Sequence, residues 1–336
     1  MYKVQLWIII QSYFLLMIVN KIDIIFMNII VIGGTNMTFK EYINKGTVVV
    51  HDGKMHADDA FCVAMCNIMQ ATQTHEFIKF INIEFAPNHE AAKKFIDDGY
   101  LVMDIGLGEF DHHDKDNQRY RDEAKEWPMA AFGRLWEKFG AELIHEYSKC
   151  MAEEKIENIT VLSDEICEKY SRIFDDEFVK HIDRTDCTGQ SSYPNTMSLF
   201  ISAMNVSVDN RISRFRRVYE ILASLIFELC VRASADMEVQ ELIKTANKDL
   251  GYIILEKHYD GRLFKDTGFK YLVEKEDPRR GHGYMVRSVD NSNVYPINYA
   301  VSGENGCKFC HPTKFLATFD YLDSAIKCIN KNLGRS

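Results

Sequence analysis

The sequence has no excess of positive charge. Its 40 Lys and Arg stand against 49 Asp and Glu, a formal net charge of -9 over 336 residues. A protein that grips long nucleic acid by its phosphates usually presents a basic face, so that mode is disfavoured apart from a local patch. A disulfide framework is also lacking. Nine cysteines, an odd number, are scattered at Cys62, Cys66, Cys150, Cys167, Cys187, Cys230, Cys307, Cys310 and Cys328, which suits a reducing compartment. A cytoplasmic location is expected, with nucleus or organelle as alternatives. Gly33-Gly34 lacks the lysine and spacing of a phosphate loop. Cys307-Lys-Phe-Cys310 lacks the second pair that a zinc clip needs, and its alternation through Phe309 reads as a strand. Repeats and low-complexity tracts are absent. At 46% hydrophobic and 26% charged, the chain is neither disordered nor collagenous, and it is not a polytopic membrane protein.

Long hydrophobic runs are scarce too. Residues 1–36 are apolar and hold only Lys3, Lys21 and Asp23 as charges. The run from Val4 to Asn20 is broken by Gln5, Gln11 and Ser12, short of the ~20 apolar residues of a spanning helix. Asn20-Lys21-Ile22-Asp23 offers no small residues for signal cleavage. The expectation is therefore that the working chain starts at Met37 and that no membrane is engaged unless this leader is an anchor. Asn36-Met-Thr38, Asn158-Ile-Thr160 and Asn205-Val-Ser207 are glycosylation sequons only in a secreted protein.

From Thr47 the pattern is α/β. Thr47–His51 reads as a buried strand, residues 58–71 as a helix carrying Phe61, Met65, Ile68 and Met69, and residues 77–83 as a second strand. Asn88 caps a helix ending near Gly99, and residues 100–105 form a third strand, so a mainly parallel sheet is expected. Helices follow at about 129–150, 163–182 and 209–247, with a break at 186–195. Strands from Gly251, at 269–273 and at 284–289, then a helix at 320–332, suggest a smaller C-terminal α/β domain. The expected division is 1–36 leader, 37–250 metal-binding catalytic domain with helical connector, and 251–336 substrate-binding domain.

Three His/Asp clusters fall at strand ends, where open α/β sheets place ligands. They are His51-Asp-Gly-Lys-Met-His56-Ala-Asp58-Asp59, the isolated Asp104 before Gly106 and Gly108, and Asp111-His112-His113-Asp114. One such cluster is usually a turn or cap. Three on adjacent strand ends crowd like charges that a cation would compensate. Imidazole and carboxylate without thiolate suit Mn²⁺ or a similar divalent ion better than structural zinc.

The order of these motifs resembles the DHH phosphoesterase superfamily, and more closely its branch named after melanocyte proliferating gene 1, the metal-dependent protein hydrolase family. His51 to Ala60, Val102-Met-Asp104-Ile-Gly106 and Asp111-His112-His113 carry the likeness. It extends through Ala131 to Gly140, His181-Ile-Asp183-Arg-Thr-Asp186 and Ser302 to His311. The resemblance implies a DHH-type catalytic domain and two divalent ions. By position, His51, His56 and Asp104 would hold one ion, and Asp58, Asp104, His112 and Asp183 the other, with Asp104 bridging. His113 would serve the scissile phosphate or the leaving oxygen. Where the family has Asp-x-x-Asp-Asn-Gly, the chain reads Asp183-Arg-Thr-Asp186-Cys-Thr-Gly189. Asp183 is the expected ligand because it lies nearer the end of the helical run, with Asp186 the alternative. Asp52 replaces the usual Asn, and Asp59 reads as a first-turn helix charge.

The implied activity is a metal-dependent phosphodiesterase, foremost a 3′-5′ exonuclease on RNA or short oligonucleotides. The acidic balance favours short or single-stranded substrates. The alternatives are a pyrophosphatase or small phosphate-ester hydrolase, and a non-catalytic binding protein that keeps metal as a structural clip. Candidate substrate contacts in the C-terminal domain are His311, Arg287, Arg280 and Lys314. Arg211, Arg214, Arg216 and Arg217 form either a phosphate track or, by default, a solvated helix face. No stable protein partner is expected, and homo-oligomerisation is left open.

Overall fold

A computed structural model describes residues 37–190, 196–207, 210–277, 279, 281–289 and 294–335. Thr38 opens the first helix, α1 (Phe39–Ile43), through a reciprocal capping box with Glu41. The valines of β1 (Thr47–His51) are buried on both faces, as the central strand of a parallel sheet requires. β1 lies between β2 (Asn82–Ala86) and β3 (Leu101–Val102), both parallel to it. The crossovers are α2 (Ala57–Thr74) and α3 (His89–Asp97). Almost every residue of α2 is buried, which marks a central helix. Its Phe61 stacks at 5.3 Å on Phe132 of α4 (Ala131–Glu153).

The second strand starts later than its apolar residues imply. Residues 76–79 form a turn closed by Lys79 N–H on the Glu76 carbonyl, and the buried Asn67 side chain accepts from Ile81 N–H at 2.8 Å. Phe80 instead packs edge-on against Tyr219 at 6.1 Å, so it serves helix packing ahead of the strand. The stretch expected as one helix over 163–182 is α5 (Asp164–Phe174), a π-helical turn at Asp175–Val179, and α6 (Lys180–Thr188). The helical run therefore continues past Asp186 and ends at Gly189, which takes the left-handed cap position at φ +66°. α7 (Thr196–Ser207) and the long α8 (Arg211–Thr245) follow.

The C-terminal strands β4 (Tyr252–Leu255), β5 (Tyr271–Lys275), β6 (Tyr284–Ser288), β7 (Cys307–Cys310) and β8 (Leu316–Phe319) form one mixed sheet in the order β4-β5-β6-β8-β7. α9 (Leu322–Asn332) covers one face, burying Ala325, Cys328 and Ile329 against Val273, Val286 and Ala317. Val239 of α8 packs with Ile253, Leu272 and Val289 on another core. β8 was not among the expected strands. The chain is thus α/β, with a parallel three-stranded sheet, a mixed five-stranded sheet and packed helices. Among the described residues, no helix is long and apolar enough to cross a membrane, and all nine thiols are unpaired. The leader 1–36 lies outside the described residues.

Candidate metal centre

The C-terminal ends of the parallel strands carry the three sequence clusters to one place. β1 ends on His51, and His56 is the N-cap of α2, so Asp58 and Asp59 occupy that helix's first turn, where the helix dipole favours negative charge. Asp104 follows β3 in the left-handed region, at φ +59°, a conformation that a non-glycine residue holds at some cost and that clusters at functional sites. Its N–H is tied to the Phe110 carbonyl at 2.9 Å, closing the loop that returns residues 111–113 beside it. Asp111 builds that loop, accepting from Leu107 N–H at 2.7 Å and His113 N–H at 3.0 Å. Arg134, fully buried on α4, braces it through the carbonyls of Asp111 and Asn117.

His51 Nε2 lies 3.2 Å from Asp59 Oδ2 and 3.4 Å from Asp104 Oδ2. His112 Nδ1 lies 3.1 Å from Asp104 Oδ1 and 3.7 Å from Asp58 Oδ2, while its Nε2 lies 3.3 Å from Asp186. Three sets of side chains converge closely enough to hold an ion: Asp104, Asp111, His112 and His113; His51, His56 and Asp104; and His56, Asp58 and Asp186. Asp104 belongs to two of them. Both oxygens of Asp58, Asp59 and Asp104, with His51 Nε2 and His112 Nδ1, are buried without a hydrogen-bond partner. Burying carboxylates unsatisfied is costly, and divalent cations coordinated by this oxygen and imidazole set would remove that cost. The residues present fit such ions.

The electrostatics agree with that fit. Burial raises the Asp58 carboxyl well above its usual range, and the charges of Asp104, Asp186 and Asp59 push the same way. Burial also raises Asp59, partly offset by His51. Burial alone would lower the His51 and His112 imidazoles. The carboxylates of Asp59 and Asp104, helped by the Asp52 carbonyl, instead hold His51 at about 9, and those of Asp104 and Asp186 hold His112 at about 10. Protonated imidazoles are favoured here because carboxylates surround them.

The placement of the sequence candidates is uneven. His51, His56, Asp58, Asp104, His112 and His113 come together, and Asp59, read as a helix charge, joins them. Asp183 does not. Its carboxylate is fully buried against Arg121 at 2.8 Å and the Gly133 N–H at 3.0 Å, and Asp186 faces the cluster instead. The preference for Asp183 rested on a helix ending near Ile182, and the helix runs on to Thr188. Arg287 is corrected as well: it is 3% exposed, paired with Glu274 and the Tyr259 carbonyl inside the C-terminal sheet. His311 bonds to Thr313, and Lys314 donates to the Ala300 carbonyl. Neither lines the cleft over the His/Asp cluster. Arg280 lies outside the described residues.

That cleft measures about 650 Å³ and is lined by His56, His112, His113 and Asp186, with Lys54 and Lys115 exposed on its walls. Neither lysine pairs with a described carboxylate. The sequence assigned no role to either lysine or to Arg134, although Lys54 and Arg134 fall within the stretches His51 to Ala60 and Ala131 to Gly140, because nothing local shows what a basic side chain will face.

A family model, MYG1_exonuc, described as an uncharacterised protein family (UPF0160), matches residues 47–252, more than half of the chain. No curated protein and no solved structure matches the chain.

Proposed function

The chain belongs to the MYG1_exonuc family, and on that premise we propose that it is a divalent-metal-dependent phosphodiesterase of DHH type, acting as a 3′-5′ exonuclease on RNA or short oligonucleotides. The observation that carries this reading is the set of buried, unpartnered carboxylates of Asp58, Asp59 and Asp104 meeting His51 and His112 below an open cleft. His51, His56 and Asp104 would hold one ion, and Asp58, Asp104, His112 and Asp186 the other. Mn²⁺ or Mg²⁺ is the expected species for such ligands. When bound, these ions supply Lewis acidity, activating water and neutralising phosphate charge.

The chain's own groups do the rest. His113 is half exposed to the cleft, and its Nδ1 lies 2.8 Å from Asp111 Oδ1. A ring fixed in this way presents Nε2 to the cleft, where it can hold a proton for the leaving oxygen. The hydrogen bond to Asp111 raises the His113 pKa, which favours the protonated ring. Asp111 itself is held low, at about 2: burial would raise it, but His113 and two backbone N–H groups outweigh that. Lys54 and Lys115 on the cleft walls offer positive charge to phosphates beside the scissile one. Residues 251–336 are proposed as the substrate-binding domain, with His311 and Lys314 its candidate contacts.

The test is a 5′-labelled single-stranded RNA incubated with the protein and Mn²⁺. Stepwise shortening that Asp104→Asn abolishes supports the proposal. Intact RNA, DNA and dinucleotides under the same conditions overturn it. Phosphate release from pyrophosphate with RNA untouched assigns the site to small phosphate compounds.

A further inference from the structure

The segment His51-Asp52-Gly53-Lys54-Met55-His56 carries two imidazoles of the metal centre on a loop with little support of its own. Asp52, Gly53 and Lys54 are exposed, and Gly53 sits at φ +112°, open to glycine and strained for other residues. A loop of this kind samples many backbone states unless something outside it holds it.

Two elements roughly 150 positions further along the chain supply that hold. The Asn205 side chain on α7 meets the Met55 peptide groups at two points, its Nδ2 donating to the Met55 carbonyl at 2.7 Å and its Oδ1 accepting from the Met55 N–H at 3.1 Å. Met55 is buried, so its peptide groups need partners, and one amide satisfies both as a neighbouring strand would. Arg214 of α8 donates to the same Oδ1 at 2.8 Å, which fixes the orientation of the amide. At the start of α8, Arg211 donates to the His51 carbonyl at 2.8 Å and to Asp52 Oδ1 at 2.6 Å, with its guanidinium 3.7 Å from the centre of the Phe85 ring. Asn205 appears in the sequence as part of a sequon, and Arg211 and Arg214 as part of an arginine-rich helix face. Their side chains are committed to this loop instead.

We propose that Asn205 and Arg211 are positioning residues for the metal centre: they clasp the loop from both ends so that His51 and His56 face Asp104. The proposal rests on the reading of those histidines as ligands. Partners that orient a ligand from behind typically govern metal affinity by roughly 10- to 100-fold, and here the effect should fall on the ion held by His51 and His56. Arg211 also answers Asp52, the acid that stands where the resembling family has Asn.

The full-length protein, stripped by a chelator, is titrated with Mn²⁺ by calorimetry, with free Mn²⁺ followed by electron paramagnetic resonance. Asn205→Ala and Arg211→Lys are compared with the unsubstituted chain. Arg211→Lys keeps the charge beside Asp52 but loses the forked reach, so it tests the clasp even where Asn205→Ala misfolds. Arg217→Ala, at an exposed arginine on the helix that carries Arg211, controls for a general effect of substitution there and should bind as the unsubstituted chain does. The expected result is one Mn²⁺ equivalent weakened by roughly 10- to 100-fold with the other unchanged. Two unchanged equivalents in both variants, or equal weakening of the two, overturn the clasp. An unsubstituted protein that binds no divalent ion overturns the metal reading beneath it and the clasp with it.

Discussion

Asp183 and Asp186 stand about one turn apart on α6 and serve different structures: Asp183 is sealed against Arg121 at 2.8 Å, while Asp186 reaches His112 at 3.3 Å. Both follow the π-helical turn at Asp175–Val179, and their three-residue spacing on the α-helix that succeeds it turns them toward different neighbours. Arg121 also grips Asp175 through Nε and Nη2, so Asp183 is one arm of a buried ionic network. Burial lifts its pKa to about 6 against the pull of Arg121.

The two aspartates should therefore fail differently. Asp183→Asn removes charge from a buried pair and should cost about 3 kcal/mol of stability, read by urea denaturation of the chelated protein, with Mn²⁺ affinity little changed in the folded fraction. Asp186→Asn removes the carboxylate that His112 faces at 3.3 Å, so it should cost the chelated protein less than Asp183→Asn does and should weaken Mn²⁺ binding. The reverse pattern would restore Asp183 as the ligand.

Gly133 provides a second check on this network. A Cβ there would lie 1.8 Å from Asp183 Oδ2 and 2.5 Å from Arg121 Nη2, so even alanine must displace a buried ion pair. Gly133→Ala should destabilise the protein by about 3 kcal/mol or more. A melting temperature within a degree of the unsubstituted protein would show that the pair has room to move.

How far the sequence disclosed all this follows from the range of each signal. The Val-rich β1, the α2 periodicity and the Asn88 cap are local, so the β1-α2-β2-α3-β3 order was readable from them. The motif residues at strand ends were readable too, because a parallel sheet gathers its C-terminal ends whatever the loops do. Misreadings came where tertiary contacts decide. The apolar run from Phe77 reads as a strand, but the Phe80 ring packs on Tyr219 of α8 and the strand begins at Asn82. Asp183 and Asp186 are chemically identical, and only the true helix end and a distant Arg121 tell them apart. The clasp by Asn205 and Arg211 spans roughly 150 positions and leaves no local pattern.

Proton release should accompany metal uptake. In the metal-free protein His51 and His112 titrate at about 9 and about 10, above the ordinary histidine value of roughly 6.5, and Asp58 and Asp59 are raised as well. The folded state thus binds more protons than the unfolded state, and stability falls as pH rises. The histidine contribution is complete below the unfolded value and is lost through pH 9 to 10. Ligation needs neutral imidazoles, so Mn²⁺ binding at pH 7.5 should release protons and tighten with pH. Calorimetry in buffers of different ionisation enthalpy reads this directly. Heats independent of the buffer, or a metal-free melting temperature that climbs from pH 6.5 to 9, would contradict it.

The last prediction concerns Arg287, whose place in the sequence suggested a substrate contact. In the fold it is 3% exposed, its Nε donates to Glu274, itself 1% exposed, and Glu274 holds the exposed His258 at 2.7 Å through its other oxygen. Arg287→Met should therefore cost about 3–5 kcal/mol, because it leaves the buried Glu274 carboxylate with only the exposed His258 to face. Adding Glu274→Leu should recover most of that loss, since two apolar side chains of similar bulk can replace a buried ion pair. In the folded fraction KM for RNA should stay unchanged. A stable Arg287→Met protein with a raised KM would instead return Arg287 to the substrate surface and require the β5–β6 pairing to open during binding.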